Sequence, residues 1–220
     1  MTKKKGFLNS KVSVLQMTLM VVAVVAYLIS NVITNFQWTV GGLFFTGGIL
    51  VFPITYILSD VFSEIYGYKW SRRSAWFSFL VNLAFVGILA ILFHLPACEW
   101  TDVSAWEAVL GNSVRILIAS FAAYMFGDWV NDMIFQHFRK KDGEKKFAPR
   151  AILSSFGGEI VDSLIFYPIA FLGEMPFSAI LNMMVLGVVT KTLYEVLILP
   201  VTSKIVKTLD SKGERAYAED

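Results

Sequence analysis

The chain has 220 residues, 56% of them hydrophobic and 16% charged, with a net charge of +2. A soluble domain carries about 25% charged residues; this composition leaves too little charge to cover a water-facing surface and points to an all-α, polytopic membrane protein. The small net charge gives no reason to expect a nucleic-acid partner, and the single cysteine, Cys98, excludes an internal disulfide or a cysteine-based metal cluster.

In chain order, residues 1–11 (MTKKKGFLNSK) form a basic N-terminal segment expected on the cytoplasmic side. They resemble a signal-peptide start, but the apolar run that follows reaches about Ile33 with no A-x-A-like cleavage site, which predicts a first helix that stays. Six spans of the length a bilayer requires are predicted: 12–34, 42–65, 74–95, 112–138, 150–173 and 178–206, with a cytoplasmic tail at 207–220. Within them, Gly41-Gly42 and Gly47-Gly48 are expected to permit close helix packing, and Pro53 and Pro200 to kink their helices. All but two of the 19 Lys and Arg precede the first span, lie in or at the edge of the second and fourth loops, or lie at or beyond the cytoplasmic end of the sixth span. The opposite loops carry Glu99, Asp102, Glu107 and Glu174 and no base. The positive-inside rule therefore places both termini in the cytoplasm.

The other two bases and seven of the acids lie inside spans. Asp60 and Glu64 fall near the cytoplasmic end of the second span, Arg115, Asp128 and Asp132 in the fourth, Glu159 and Asp162 in the fifth, and Lys191 and Glu195 in the sixth. Each ionisable group at mid-bilayer costs roughly 2.5–3.5 kcal/mol, so each is a candidate for function. Glu159, Asp162, Lys191 and Asp128 fall at one depth, the bilayer centre. Deep acids outnumber deep bases, which predicts that some acid is protonated, hydrated or held for a ligand. The plainer readings are a structural ion pair of Glu159 or Asp162 with Arg115 or Lys191, and an intrahelical Lys191–Glu195 bridge at i,i+4. Arg115 is expected to snorkel to the outer surface and Asp132 to be solvated at the inner one.

Asp128-x-x-Asn131-x-x-x-Phe135 and Glu159-x-x-Asp162-x-x-x-Phe166 share one spacing, 31 residues apart, which is either a weak internal repeat or a coincidence of membrane composition. Steps of three and four keep each set on one helix face, with Phe135, Phe166, Tyr124 and Tyr194 the aromatics best placed to stack on a ligand. The chain lacks H-E-x-x-H and G-x-S-x-G motifs, so no catalytic residue and no metal site are expected, and the protein is not read as an enzyme. Polarity gathered at one depth describes a compact binding site, not the continuous polar stripe of a channel.

The segments FPITYILSDVFSEIYGYKWSRR (52–73), VRILIASFAAYMFGDWVNDMIFQHFRK (114–140), RAILSSFGGEIVDSLIF (150–166) and KTLYEVLILP (191–200) resemble the vitamin uptake transporter family, over the whole chain after about residue 12. The family includes bacterial queuosine-precursor transporters. The resemblance implies a multi-pass inner-membrane importer of 7-cyano-7-deazaguanine, 7-aminomethyl-7-deazaguanine or queuine. It places the second-span signature on Asp60, Glu64, Tyr66, Gly67 and Arg72, the fourth-span pattern on Gly127, Asp128 and Asn131, the fifth on Glu159, Asp162 and Ser163, and the sixth-span lysine on Lys191. Acid and amide are partly exchanged here: Asp128 precedes Asn131, and Glu159 stands where the family often has an amide. The expected substrate site comprises Asp128, Asn131, Glu159, Asp162, Ser163, Lys191, Glu195, Phe135 and Phe166, with Asp60, Glu64, Arg72 and Arg115 structural or gating. The ligand is a small planar heterocycle. No cofactor is expected, proton coupling is left open, and the second-span glycines would permit a homodimer. The alternative is a vitamin-capture subunit that serves a separate ATPase module.

Overall fold

The computed structural model describes residues 12–111, 113–142 and 147–218; the basic segment 1–11 and Lys145 and Lys146 of the fourth loop lie outside the described residues. Seven helices and one hairpin follow in order: α1 (Val14–Ile33), β1 (Gln37–Val40), β2 (Leu43–Thr46), α2 (Phe52–Ile65), α3 (Tyr68–Leu92), α4 (Val103–Leu110), α5 (Ser113–Asp142), α6 (Phe147–Phe171) and α7 (Phe177–Ser211). Short 3-10 turns at Gly47–Leu50 and Glu214–Tyr217 complete the chain.

Five of the helical stretches are long and apolar enough to cross a membrane. The outward faces are apolar: Val21, Val25 and Ile29 of α1, Leu80 and Leu83 of α3, and Leu181, Val185 and Val189 of α7 are all exposed. The interior, by contrast, holds Asp60, Glu64, Asp128, Asn131, Asp132, Glu159, Asp162, Lys191 and Glu195, all buried. Apolar outside and ionisable inside is the arrangement of a protein solvated by lipid.

The region predicted as the second span, 42–65, is not one helix. Residues Leu43–Thr46 pair with Gln37–Val40 as an antiparallel hairpin. Gly41 and Gly42 turn this hairpin with φ of 57° and 79°, which is the backbone a two-residue turn demands and glycine adopts without penalty. They make the turn, and no helix packs on them. Gly47 and Gly48 do allow close packing, since a Cβ on either would collide with Ile33 O or Thr34 Oγ1 at the end of α1. Pro53 stands in the first turn of α2, where its missing N–H costs nothing, so it starts the helix without kinking it.

The 14 residues of α2 rise about 21 Å and the preceding 3-10 turn about 8 Å, together close to the roughly 30 Å of the 20-residue α1. Both ends of this segment meet the ends of α1: Gly47 N–H donates to Phe36 O at 2.7 Å, while Tyr66 and Ser13 share Glu214. Almost every residue of α2 is buried. It is the central post of the bundle, and of the glycines that precede it Gly47 and Gly48 are buried against the end of α1.

The end that holds Ser13, Tyr66 and Glu214 also carries Lys69, Arg139, Lys204 and Lys207, and is here termed the inner end. The C-terminal segment packs there: Arg215 reaches Glu64 and Asp210, at 3.1 and 2.6 Å. At the outer end, α4 lies in the third loop, started by Asp102, whose carboxylate accepts from Ser104 Oγ and Ala105 N–H; these bonds hold its pKa below the usual range. Two apolar plugs cap the interior, Phe62, Ile65, Trp70, Val206 and Leu209 at the inner end and Ala119, Tyr167, Phe171, Ile180 and Met183 at the outer.

Candidate functional site

Between these plugs, α5 and α6 cross with their glycines in contact. A Cβ on Gly158 would lie 2.8 Å from Gly127 O and 3.0 Å from Asn131 Cβ, so only hydrogen at these positions lets the helices approach this closely. Gly127 and Gly158 each precede one copy of the repeated motif. Because the helices run in opposite directions, Asp128 and Asn131 descend from the crossing towards the inner end, and Glu159 and Asp162 rise towards the outer end.

The outer half is built on α7. Lys191 Nζ lies 2.7 Å from Glu159 Oε2 and 2.9 Å from Asp162 Oδ2, and 4.4 Å from the centroid of the Phe52 ring. The Glu159 approach is an ion contact, whereas the Asp162 approach is also a well-aligned hydrogen bond. Of the two pairings open to it, Lys191 thus takes the one between helices and clamps two carboxylates of α6, not Glu195 of its own helix. Beside the clamp lies a cavity lined by Asn31, Phe52, Ser120, Asp162, Phe166, Tyr167 and Lys191. The space open to the centre of a water-sized sphere is about 20 Å³, enough for one or two waters. Asn31 is held by Asn82 and Ser120, which donates to Asn31 Oδ1 at 2.6 Å.

In the inner half, Asp128 takes 2.7 Å from Ser59 Oγ and 3.2 Å from Arg72. Asp132, expected to be solvated, is 1% exposed and accepts from Ser63 at 2.6 Å. The correction has a simple cause: α2 packs against this face of α5 and removes it from water. Asp60 accepts from Asn131 Nδ2 at 3.2 Å and Ser155 Oγ at 3.3 Å. Glu64 is held by Arg150 and Arg215, at 2.5 and 3.1 Å.

The expected site is therefore divided. Asp162, Lys191 and Phe166 come together at the cavity, Glu159 is joined to it through Lys191, and the buried Ser163 stands beside Asp162 in sequence. Asp128, Asn131 and Glu195 belong to the inner half. Phe135 lies against the Arg150 guanidinium, 4.6 Å from its ring centroid, and against Phe147, not at the cavity. Tyr124 packs among Tyr27, Phe52 and Tyr56, and Tyr194, half-buried, is not among the cavity-lining residues. Arg115 does more than snorkel, because it donates to Ile169 O and Leu172 O at the end of α6 and pairs with Glu174 at 3.1 Å.

Sequence reasoning missed Asn31, Asn82, Phe52, Ser120 and Tyr167. Isolated amides inside apolar runs were a usable signal for the first two, since an amide in a span needs an internal partner. Phe52 and Tyr167 carried none, because aromatic residues occur throughout the spans.

A bundle of membrane-crossing helices around a buried polar cavity with paired charges defines a membrane transporter. The sequence profile of the family described as "Putative vitamin uptake transporter" matches residues 46–205, and the chain belongs to that family as a multi-pass bacterial membrane protein, not an enzyme. It is 26% identical over 162 residues to a Bacillus subtilis protein described as "Probable queuosine precursor transporter", covering 72% of this chain and 70% of the relative. A Haemophilus influenzae protein with the same description is 26% identical over 136 residues, 61% of this chain and just over half, 55%, of the relative. No solved structure matches the chain.

Proposed function

We propose that this protein imports queuosine precursors, 7-deazaguanines, by alternating access through the cavity beside Lys191. The observation that carries the reading is the clamp, in which one ammonium is shared by Glu159 and Asp162 at the edge of a space walled by Phe52, Phe166 and Tyr167. A guanine-like edge presents two adjacent donors and one acceptor. A carboxylate accepts both donors as a fork, and the ammonium or the amide of Asn31 donates to the acceptor. Flat rings supply stacking, worth about 1–3 kcal/mol for comparable bases. Without solute, Lys191 holds both carboxylates; the incoming edge competes for them. The descriptions of the relatives support the same solute class.

A bicyclic base does not fit the present cavity, so loading requires the helices around it to part, as alternating access around a midplane site demands. The test is uptake of labelled 7-cyano-7-deazaguanine and 7-aminomethyl-7-deazaguanine by purified protein in lipid vesicles. Wild type is expected to transport at least one of them, with adenine and unrelated vitamins inert, and Glu159→Gln to abolish transport while still inserting and folding. Undiminished transport by Glu159→Gln would remove the site assignment. Binding by the chain alone with transport only when an ATPase module is supplied would favour the capture-subunit reading.

A further inference from the structure

One helical turn below the clamp, about 6 Å along α7, lies a second group of carboxyls that the solute reading does not use. Asp60 of α2 is 2% exposed and Glu195 of α7 is 5% exposed. Among the described residues neither has a Lys or Arg within ion-pair distance. The neighbouring charges are already engaged. On α5, Asp128 has Arg72 of α3 and Asp132 has Ser63. On α6 and α7, Glu159 has Lys191, and at the inner end Glu64 has Arg150 and Arg215.

Asp60 is held by donors, Asn131 Nδ2 and Ser155 Oγ. Glu195 lies within reach of the same Ser155 hydroxyl and repels Asp60. That hydroxyl has one hydrogen for two carboxyls. Among the described residues, two buried acceptors in this group lack any donor: Asn131 Oδ1, on a residue 0% exposed, and Glu195 Oε1. The group is short of a hydrogen, not of an oxygen. A metal ion would need acceptors facing inward, but Asp60 is instead met by an N–H and an O–H.

We propose that Asp60 and Glu195, linked through Ser155 and Asn131, form the binding site of a coupling proton that is carried inward with the solute. One proton shared by the two carboxyls removes their mutual repulsion and turns one acceptor into the missing donor. Its position on α7 directly inward of Lys191 places it on the helix that contacts the solute site, so loading of one is communicated to the other through a single rigid element. The site uses residues separate from the clamp and does not depend on which solute the clamp takes.

Two measurements on the full-length protein in lipid test this. The first is the infrared C=O stretch of protonated carboxyl groups near neutral pH. Wild type is expected to show a band that loses intensity in Asp60→Asn and in Glu195→Gln; a band unchanged in both variants overturns the proposal. The second is accumulation of labelled 7-cyano-7-deazaguanine in vesicles acidic outside, expected to reach about tenfold per pH unit with one proton per solute. Asp60→Asn should lose this accumulation but retain solute exchange at equal pH. Accumulation driven by a sodium gradient at equal pH, or gradient-driven accumulation retained in Asp60→Asn, overturns the proton site. A wild type that neither accumulates nor exchanges the probe counts against the deazaguanine reading, and the infrared result then decides the proton site alone.

Discussion

Lys191 sits buried between two carboxylates, and its removal strands both. Breaking one partner of a buried pair costs about 3–5 kcal/mol, so Lys191→Met should lower the thermal unfolding midpoint sharply as well as abolish transport. Asp162→Asn should cost less stability, because Glu159 remains 2.7 Å from the ammonium. The comparison is made by melting the purified variants in detergent. Arg115 gives the opposite pattern at the outer end. It closes the α6 terminus through Ile169 O and Leu172 O, far from the cavity. Arg115→Ala should therefore destabilise by about 0.5–1.5 kcal/mol, the net worth of a typical hydrogen bond where water can reach the freed carbonyls, while solute affinity measured on the folded fraction is unchanged. At this scale the ionisable residues that the structure buries were legible in the sequence. Partner choice was not: Lys191 has Glu195 one turn away on its own helix and Glu159 on another, and only packing selects between them.

The crossing of α5 and α6 shows how an element carries the site. The spacing shared by Asp128/Asn131/Phe135 and Glu159/Asp162/Phe166 acquires a physical meaning from Gly127 and Gly158, which touch at the crossing and send the two motifs in opposite directions. Gly158→Ala would force a methyl to 2.8 Å from a backbone oxygen that no side-chain rotation can move. Overpacking of this kind costs typically 1–3 kcal/mol, and transport should fall with it because the crossing aligns both halves of the site. Gly87→Ala on α3 meets nothing within 4 Å and serves as the silent control in the same melting experiment. The second predicted span marks where sequence legibility ended. Its apolar run continues from 42 to 65, yet paired glycines turn Gln37–Thr46 into a hairpin and Pro53 restarts the chain as a short helix. Hydropathy reports burial in apolar surroundings; it does not distinguish a strand that covers the outer end from a helix that crosses.

For the whole molecule, the narrow cavity and the inner-end contacts imply a state that must open. Glu64, buried on α2, joins Arg150 of α6 to Arg215 of the C-terminal segment, fastening three elements below the site. Glu64→Gln should release this lock and favour the inward-open arrangement. In a Cys98→Ser background, a cysteine at Ser155, which is 1% exposed, should then react with an inner-side maleimide several-fold faster than with Glu64 intact; equal rates would show that the lock does not control access. The C-terminal segment takes part in this lock, although by composition it reads as an ordinary basic tail.

The sequence by itself determined the solvent and the level of the site. Apolar runs long enough for a bilayer, bases confined to alternate loops, and acids placed at mid-span are one-dimensional facts, set by the cost of putting charge in lipid, and they require no knowledge of neighbours. Tertiary structure alone decided that Lys191 holds α6 instead of its own helix, that Asp128 belongs to Arg72, that Phe135 leaves the cavity to Phe52 and Tyr167, and that Asp60 and Glu195 meet no Lys or Arg among the described residues. Those outcomes depend on which helix faces meet. Facing is fixed by close contacts such as Gly127 against Gly158, between residues far apart along the chain.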